Sequence, residues 1–248
     1  MVTFEKLLND RPFLILDGAL ATELERKGAN LNDPLWSAKV LIENPTLIKE
    51  IHLEYLISGA DIITTATYQA TFEGFKSKGF SQNESERLFS LAVQLAVDAR
   101  AAYATFNDRK RQILIAASIG PYGAFLADGS EYSGNYGRSQ KHLMDFHRER
   151  LFYLAKEKID LLIFETIPSL KETEAIVNLL QDLKTPLPTF VSFSCKNREQ
   201  LADGTPLSDA VAIVSQTPVI QAIGVNCIQP KLATSVLEHL SKQPPCHC

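Results

Sequence analysis

The stretch Val219-Ile220-Gln221-Ala222-Ile223-Gly224-Val225-Asn226-Cys227, followed by a helix-like segment opened by Pro230, is one strand-then-helix unit. The apolar run has the length of a buried strand, and proline is tolerated at the first position of a helix. A cysteine at the exit of such a strand sits where α/β enzymes place their chemistry. Ionised, Cys227 could act as a nucleophile or a metal ligand. As a buried thiol it would be a small apolar residue. Within this one unit both readings stand.

The same unit recurs along the chain. Phe13-Leu14-Ile15-Leu16 reads as a short strand ending at Asp17-Gly18, with helical turns from Ala19 to Lys27. Asn44 and Pro45 fit the N-cap and first position of a helix to about Ile57, which Gly59 closes. The β-branched Asp61-Ile62-Ile63-Thr64-Thr65 predicts the next strand. Ser81-Gln82-Asn83-Glu84 has the form of a capping box. Its helix runs to about Phe106, with Leu88, Ala92, Leu95, Ala96, Ala99, Ala102 and Tyr103 as the apolar stripe. Ile113 to Ser118 is a strand leading into Gly120-Pro121-Tyr122-Gly123, and a loop from Asp128 to Gly137 precedes a helix from Ser139 to about Lys158. Leu161 to Phe164 predicts a strand ending at Glu165, with Thr166-Ile167-Pro168 opening a helix through Leu180. Pro188 to Ser194 is a strand with Cys195 at its end, Ala210 to Ser215 a short helix, and Lys231 to Leu240 the helix after Cys227.

Six strand-then-helix units whose strands are continuous apolar runs imply a parallel sheet covered on its faces. A (β/α)8 barrel and an open doubly wound sheet both satisfy that pattern. No Gly-x-Gly-x-x-Gly follows a strand and no P-loop lysine motif occurs, so the nucleotide-binding variants lose support. In either fold the ligand lies at the carboxyl ends of the strands, which selects Asp17, Thr67, Gly120, Glu165, Cys195 and Cys227. Asp17-Gly18 is either an anion-holding backbone site or an ordinary turn. Glu165 ends an apolar run, an expensive place for a carboxylate unless it is paired or binds something; an ammonium group or an acid/base role would suit it. Cys195 reads as a buried thiol. His142 and His147, five apart, do not share a helix face and are expected on the surface; His52 receives no role.

The chain has 248 residues, 45% hydrophobic, with a net charge of −4. Basic residues are scattered, and the Arg109-Lys110-Arg111 cluster reads as a solvated loop, so no nucleic-acid footprint is expected. No apolar run approaches the roughly 20 residues of a membrane span, and the amino terminus lacks the apolar core of a signal peptide. Four cysteines in a chain this long do not make a disulfide framework. A soluble, cytoplasmic protein is the expectation.

Taken in order, the strand exits resemble those of the homocysteine S-methyltransferases, from Leu16-Asp17-Gly18 to Gly224-Val225-Asn226-Cys227. The shared stretches include Asn32-Asp33-Pro34-Leu35-Trp36-Ser37, Tyr68-Gln69-Ala70-Thr71-Phe72, Ala117-Ser118-Ile119-Gly120-Pro121-Tyr122-Gly123, Asp128-Gly129-Ser130-Glu131-Tyr132 and Phe164-Glu165-Thr166-Ile167-Pro168. The likeness is to the branch that uses S-methylmethionine or S-adenosylmethionine rather than betaine. It implies a (β/α)8 TIM-type barrel with zinc at its carboxyl end, held by the cysteine of a Gly-Val-Asn-Cys motif and by two adjacent cysteines of a later Gly-Gly-Cys-Cys motif. Cys227 stands at the first. The resemblance assigns Asp17 and Glu165, with backbone help from Gly18, to the amino-acid end of homocysteine, and counts Asn226 with the substrate-binding residues.

Such a zinc ion, with three protein ligands and one open position, would bind the substrate thiol as a thiolate able to attack the methyl carbon of a sulfonium donor. Trp36, Tyr68, Phe72 and Tyr132 are candidates for a cation–π seat worth about 0.5–2 kcal/mol, or are simple packing. The Gly-Gly-Cys-Cys motif does not occur in these residues, which end Pro244-Pro245-Cys246-His247-Cys248. The resemblance therefore implies a single homocysteine-binding barrel domain over residues 1–248 without strands 7 and 8, and an incomplete zinc site. Cys246 and Cys248 follow a helix that in a barrel returns to the end opposite the site. The expected function is methyl transfer to homocysteine, giving methionine. The alternative is a shortened, non-catalytic relative that binds an amino acid or a partner; a second chain supplying strands, in an oligomer, is a variant. An unrelated barrel lyase or aldolase would need a strand-end lysine or an acid/base pair, and no lysine ends a strand here.

Overall fold

A computed structural model describes Phe4, Leu7 and residues 10–32, 37–106 and 111–242. Trp36, the Arg109-Lys110 pair, Cys246 and Cys248 lie outside the described residues. The chain forms two compact units, Met1–Ala117 with Glu157–Leu161, and Ser118–Lys156 with Leu162–Cys248. Among the described residues no helix is long and apolar enough to cross a membrane.

The first unit holds α1 (Leu20–Arg26), α2 (Ser37–Glu43), α3 (Pro45–Ser58), β1 (Ile62–Thr64), α4 (Phe72–Ser77), α5 (Gln82–Phe106) and most of β2 (Leu114–Ile119). Local chemistry sets the helix ends. Asn44 Oδ1 accepts from Leu47 N, Pro45 opens α3, and Gly59 closes it at φ 116°. The predicted capping box opens α5: Ser81 N donates to Glu84 Oε2 at 2.8 Å, and Glu84 N to Ser81 Oγ at 3.3 Å. The buried face of α5 keeps Ala92, Leu95, Ala96, Ala99 and Tyr103 of the predicted stripe but takes Ser85, Phe89 and Val93 in place of Leu88 and Ala102, which are half-buried. The Phe89 ring packs 4.8 Å from Phe72 and 5.7 Å from Phe75, burying an aromatic surface that Leu88 could not match.

Strands β1 and β2 pair in parallel, Ile62 opposite Leu114 and Thr64 opposite Ala116. The strand expected at Phe13–Leu16 shrinks to one parallel bridge, Leu16 to Ile62. The Asp61 carboxylate takes Ile15 N (3.0 Å) and Arg11 (2.6 Å), and Phe13, Ile15 and Leu16 stay exposed, so burial does not extend the pairing. Arg111 is not solvated. It donates to Leu56 O at 2.7 Å and Ala60 O at 2.9 Å, carbonyls at and just past the end of α3, and lies over the Tyr103 ring.

The second unit holds the end of β2, then α6 (Tyr122–Leu126), a 3-10 turn (Ser130–Tyr132), α7 (Gln140–Leu154), β3 (Leu161–Ile167), α8 (Leu170–Leu183) and β4 (Thr189–Phe193). A hairpin of β5 (Cys195–Asn197) and β6 (Gln200–Leu201) follows, then α9 (Leu207–Ser215), β7 (Ile220–Val225) and α10 (Pro230–Leu240). Strands β3, β4 and β7 are parallel, with Phe164 opposite Val191 and Val191 opposite Ile223. Parallel strands alternating with helices make this an α/β fold consistent with part of a TIM-type barrel.

Several boundaries differ from expectation: α7 ends at Leu154, α9 starts at Leu207, and α2, α4, α6 and the β5–β6 hairpin lie outside the expected units. Strand β3 continues through Glu165 and Thr166 to Ile167, and α8 starts only at Leu170. Pro168 holds the residue before it extended, and Ser169 Oγ then accepts from Glu172 N as the true N-cap. Cys195, expected at a strand exit, opens the hairpin instead.

His147 is also not at the surface; it is wholly buried. It shares a face of α7 with Leu143, Arg150, Leu151 and Leu154, a placement that its spacing from His142 did not decide. Arg150 can only donate, so Nδ1 of His147, 2.7 Å away, accepts and Nε2–H donates to Glu172 Oε1 at 2.9 Å. Arg150 also donates to Gly120 O, and Glu172 Oε1 accepts Tyr122 N at 2.7 Å. A buried carboxylate thus caps α6, whose own N-cap, Pro121, has no side-chain acceptor.

Burial lowers His147 to a pKa of about 4, Arg150 adding to the effect, and burial alone lowers His52 to about 4. The rings protonate near 6.5 in the unfolded chain, so between pH 6.5 and 4 the unfolded state binds more protons than the folded one. Stability should therefore fall with falling pH across this window, by about 1.4 kcal/mol per pH unit per histidine at most. Both ring nitrogens of His52 lack a hydrogen-bond partner in the structure, so His52→Leu removes its share without orphaning a polar group. Urea midpoints at pH 7 and pH 5 should differ less in His52→Leu than in the native chain; an equal difference would refute this.

Candidate active site

The second unit gathers its chemistry where β3, β4 and β7 end. After Val225 the chain leaves the sheet: Asn226 N donates to Phe193 O at 3.2 Å, and Cys227 takes a left-handed φ of 53°. Thr166, wholly buried, also has a left-handed φ, 62°, unusual for a β-branched residue. In a regular strand the side chains of Glu165 and Thr166 would point to opposite faces. The β3–β4 register shifts between Phe164 and Ile167, and both side chains reach the same amide. Asn226 Nδ2 lies 3.2 Å from Glu165 Oε2 and 2.9 Å from Thr166 Oγ1. Its Oδ1 accepts from Thr166 N and from Ser192 Oγ, each at 2.8 Å. One side chain therefore joins three strand exits.

The other oxygen of Glu165 accepts a hydrogen bond from Ser118 Oγ on β2. Burial raises the Glu165 carboxyl above its ordinary range, and the Ser118 hydrogen bond works against that rise. Cys227 is exposed as a residue, but its Sγ faces Thr166 Oγ1 at 3.4 Å and Asn226 Nδ2 at 3.5 Å. Partial desolvation raises the thiol, Thr166 lowers it, and the charges of Glu165 and Glu131 raise it. Tyr132, raised by desolvation and by the charges of Cys227 and Glu131, lies within electrostatic reach of both. The turn carrying Glu131 and Tyr132 sits hard against α6: a Cβ on Gly123 would lie 2.7 Å from Glu131 Cα.

Asp17 and Gly18 belong to the first unit. The Asp17 carboxylate accepts from Thr64 N at 2.8 Å and from Thr64 Oγ1 at 3.0 Å, so Asp17-Gly18 is bonded to β1 and is not a free turn. Gly18 is exposed, and a Cβ there would come within 2.7 Å of the Tyr55 hydroxyl. Thr67 is buried with its hydroxyl 2.6 Å from that of Thr65. In the second unit Gly120 offers its carbonyl to Arg150. Cys195 is buried as expected, its thiol pushed up to about 12 by desolvation. Of the aromatic candidates, Phe72 is buried against Phe89, Tyr68 is half-buried and Tyr132 is 57% exposed. Ser118, Thr166 and Ser192 were not legible as site residues. Periodicity marks where a strand runs, and none of the three carries a charge or thiol that singles it out.

Among the described residues no group of three His, Cys, Asp or Glu could hold a metal ion. The sulfur of Cys227 faces a hydroxyl and an amide, which do not make the three-ligand set of a catalytic zinc.

The profile of the family described as Homocysteine S-methyltransferase matches residues 14–248. The chain is 46% identical over 245 residues to Homocysteine S-methyltransferase YbgG of Bacillus subtilis, the match covering 98% of this chain and 78% of the relative. It is 45% identical over 242 residues to Homocysteine S-methyltransferase 2 of Arabidopsis thaliana, covering 93% and 73% respectively. Among solved structures, the metallated form of the homocysteine methyltransferase MmuM from Escherichia coli matches with a TM-score of 0.92 at 46% identity, over 96% of this chain and 82% of that one.

The close seat of the Glu131 turn on Gly123 is open to a direct check. Gly123→Ala drives a methyl group into backbone and should lower stability by about 1–3 kcal/mol. A urea midpoint equal to that of the native chain would show that the turn yields freely.

Proposed function

The chain belongs to the homocysteine S-methyltransferase family, and from that premise we propose that it moves a methyl group from S-methylmethionine or S-adenosylmethionine to homocysteine, giving methionine. The observation that carries this reading is the exit of β7, where the Cys227 sulfur, facing the Thr166 hydroxyl, stands within electrostatic reach of the half-buried Glu165 carboxyl that Asn226 holds.

In the reaction the homocysteine sulfur, having lost its proton, attacks the methyl carbon of the sulfonium. The bond from that carbon to the donor sulfur breaks, its electron pair stays on the donor sulfur, and the donor's positive charge is lost. No general base is needed once the attacking sulfur is anionic. Glu165 is the proposed seat for the α-ammonium group of homocysteine: a negative charge in a poorly hydrated place is stabilised by a cationic partner. Asp17 and Gly18 are proposed as substrate-binding residues on the resemblance alone. The amide of Asn226 is taken up by protein groups, so it would serve the substrate by holding Glu165. Tyr132, exposed and near Cys227, is the best placed of the described aromatics to face a sulfonium cation, worth about 0.5–2 kcal/mol.

The family resemblance implies a zinc ion, which would activate the homocysteine thiol and would take Cys227 as a ligand. The described residues at this exit offer that one thiol only, so no step is assigned to the metal. The same observation favours a second reading, in which the chain binds an amino acid without transferring a methyl group. A reducing, cytoplasmic setting suits both readings, since Cys227 would remain a thiol.

Incubation with homocysteine and either donor should yield methionine, measured by mass spectrometry, and Cys227→Ser should abolish it. Glu165→Gln, losing a charge-assisted contact, should raise KM for homocysteine about ten- to a hundredfold. Homocysteine binding by calorimetry without methionine formation would select the second reading; no binding at all would sink both.

A further inference from the structure

Thr166 is the most unusual residue of the second unit, a buried β-branched residue at φ 62° inside a strand. Such a conformation persists only where its surroundings impose it. Here the imposing group is Asn226, and the direction of each hydrogen bond follows from chemistry. The backbone N–H of Thr166 can only donate, so the atom of Asn226 that faces it at 2.8 Å is Oδ1. Nδ2 then faces Thr166 Oγ1 at 2.9 Å and can only donate, so Oγ1 accepts. The hydroxyl proton is left for Cys227 Sγ, 3.4 Å away. Without the register shift beside it, Thr166 would turn its side chain to the face opposite Glu165. The left-handed backbone puts the hydroxyl against the sulfur.

We propose that Thr166 is a positioning residue for Cys227: clamped by Asn226, its hydroxyl donates to the sulfur and fixes where that sulfur stands relative to Glu165. In this role it acts through Cys227. For catalysis this inference rests on the methyltransferase reading; for the geometry of the sulfur it does not.

Thr166→Val keeps the branched shape and removes the hydroxyl, whereas Thr166→Ser keeps the hydroxyl. The first readout is the rate at which iodoacetamide alkylates Cys227 in the whole, chelator-treated chain near neutral pH, followed on the Cys227 peptide by mass spectrometry. Losing the hydroxyl that holds the sulfur in place should slow Thr166→Val about tenfold, while Thr166→Ser stays within about twofold of native. The second readout is turnover: Thr166→Val should lower kcat by a similar factor with KM for homocysteine nearly unchanged, and Thr166→Ser should restore kcat. Should Thr166→Val not fold, judged by its urea transition, Thr166→Ala takes its place. Native-rate alkylation in the hydroxyl-free variant overturns the proposal, as does a serine variant as impaired as valine. If the native chain makes no methionine, the methyltransferase reading fails while the alkylation rates still decide the role of Thr166.

Discussion

The site of the second unit depends on the side-chain amide of Asn226. Its oxygen takes a backbone N–H from β3 and a hydroxyl from β4, and its nitrogen serves a carboxylate and a hydroxyl on β3. Each such bond is worth about 0.5–1.5 kcal/mol net, and more where a charge takes part. Set against them are two non-glycine residues with positive φ, Thr166 and Cys227, at about 1–3 kcal/mol each. The two sums are of similar size. The strained exits therefore hold only while the amide is in place, which makes Asn226 the constraint on which Glu165, Thr166 and Cys227 all rely.

A second polar network, wholly inside the protein, supports the loop that follows β2. Arg150, His147 and Glu172 are fully buried, and they end on the carbonyl of Gly120 and the N–H of Tyr122. Removing a hydrogen-bond partner of a buried charged group costs about 1.5–3 kcal/mol, more than an exposed pair such as Lys141–Asp145 contributes. The network thus fixes the start of α6, and through Gly123 the turn that carries Glu131 and Tyr132.

Electrostatically, the β7 exit suits a cationic ligand. Glu165 and Glu131 both raise the Cys227 thiol, and burial raises Glu165 itself. The same surroundings hold Cys227 as a protonated thiol unless something cationic, substrate or metal, draws its proton away.

The sequence alone determined the order of the sheet strands and of the long helices between them, though not α2, α4, α6 or the β5–β6 hairpin, because apolar runs, caps and turn residues act over a few neighbours. Asn44-Pro45, the Ser81–Glu84 box and the Gly224–Cys227 exit were all legible for that reason. It also pointed to Asp17, Glu165 and Cys227, whose charge or thiol at a strand end is conspicuous by itself. Only the tertiary structure decided that His147 is buried, that Glu165 lies inside β3 rather than at its end, and that Ser118, Thr166 and Ser192 join the site. Those outcomes depend on partners 25 to 60 residues away in the chain. A register shift and a hydrogen bond to a distant amide leave no periodic mark in the sequence that makes them.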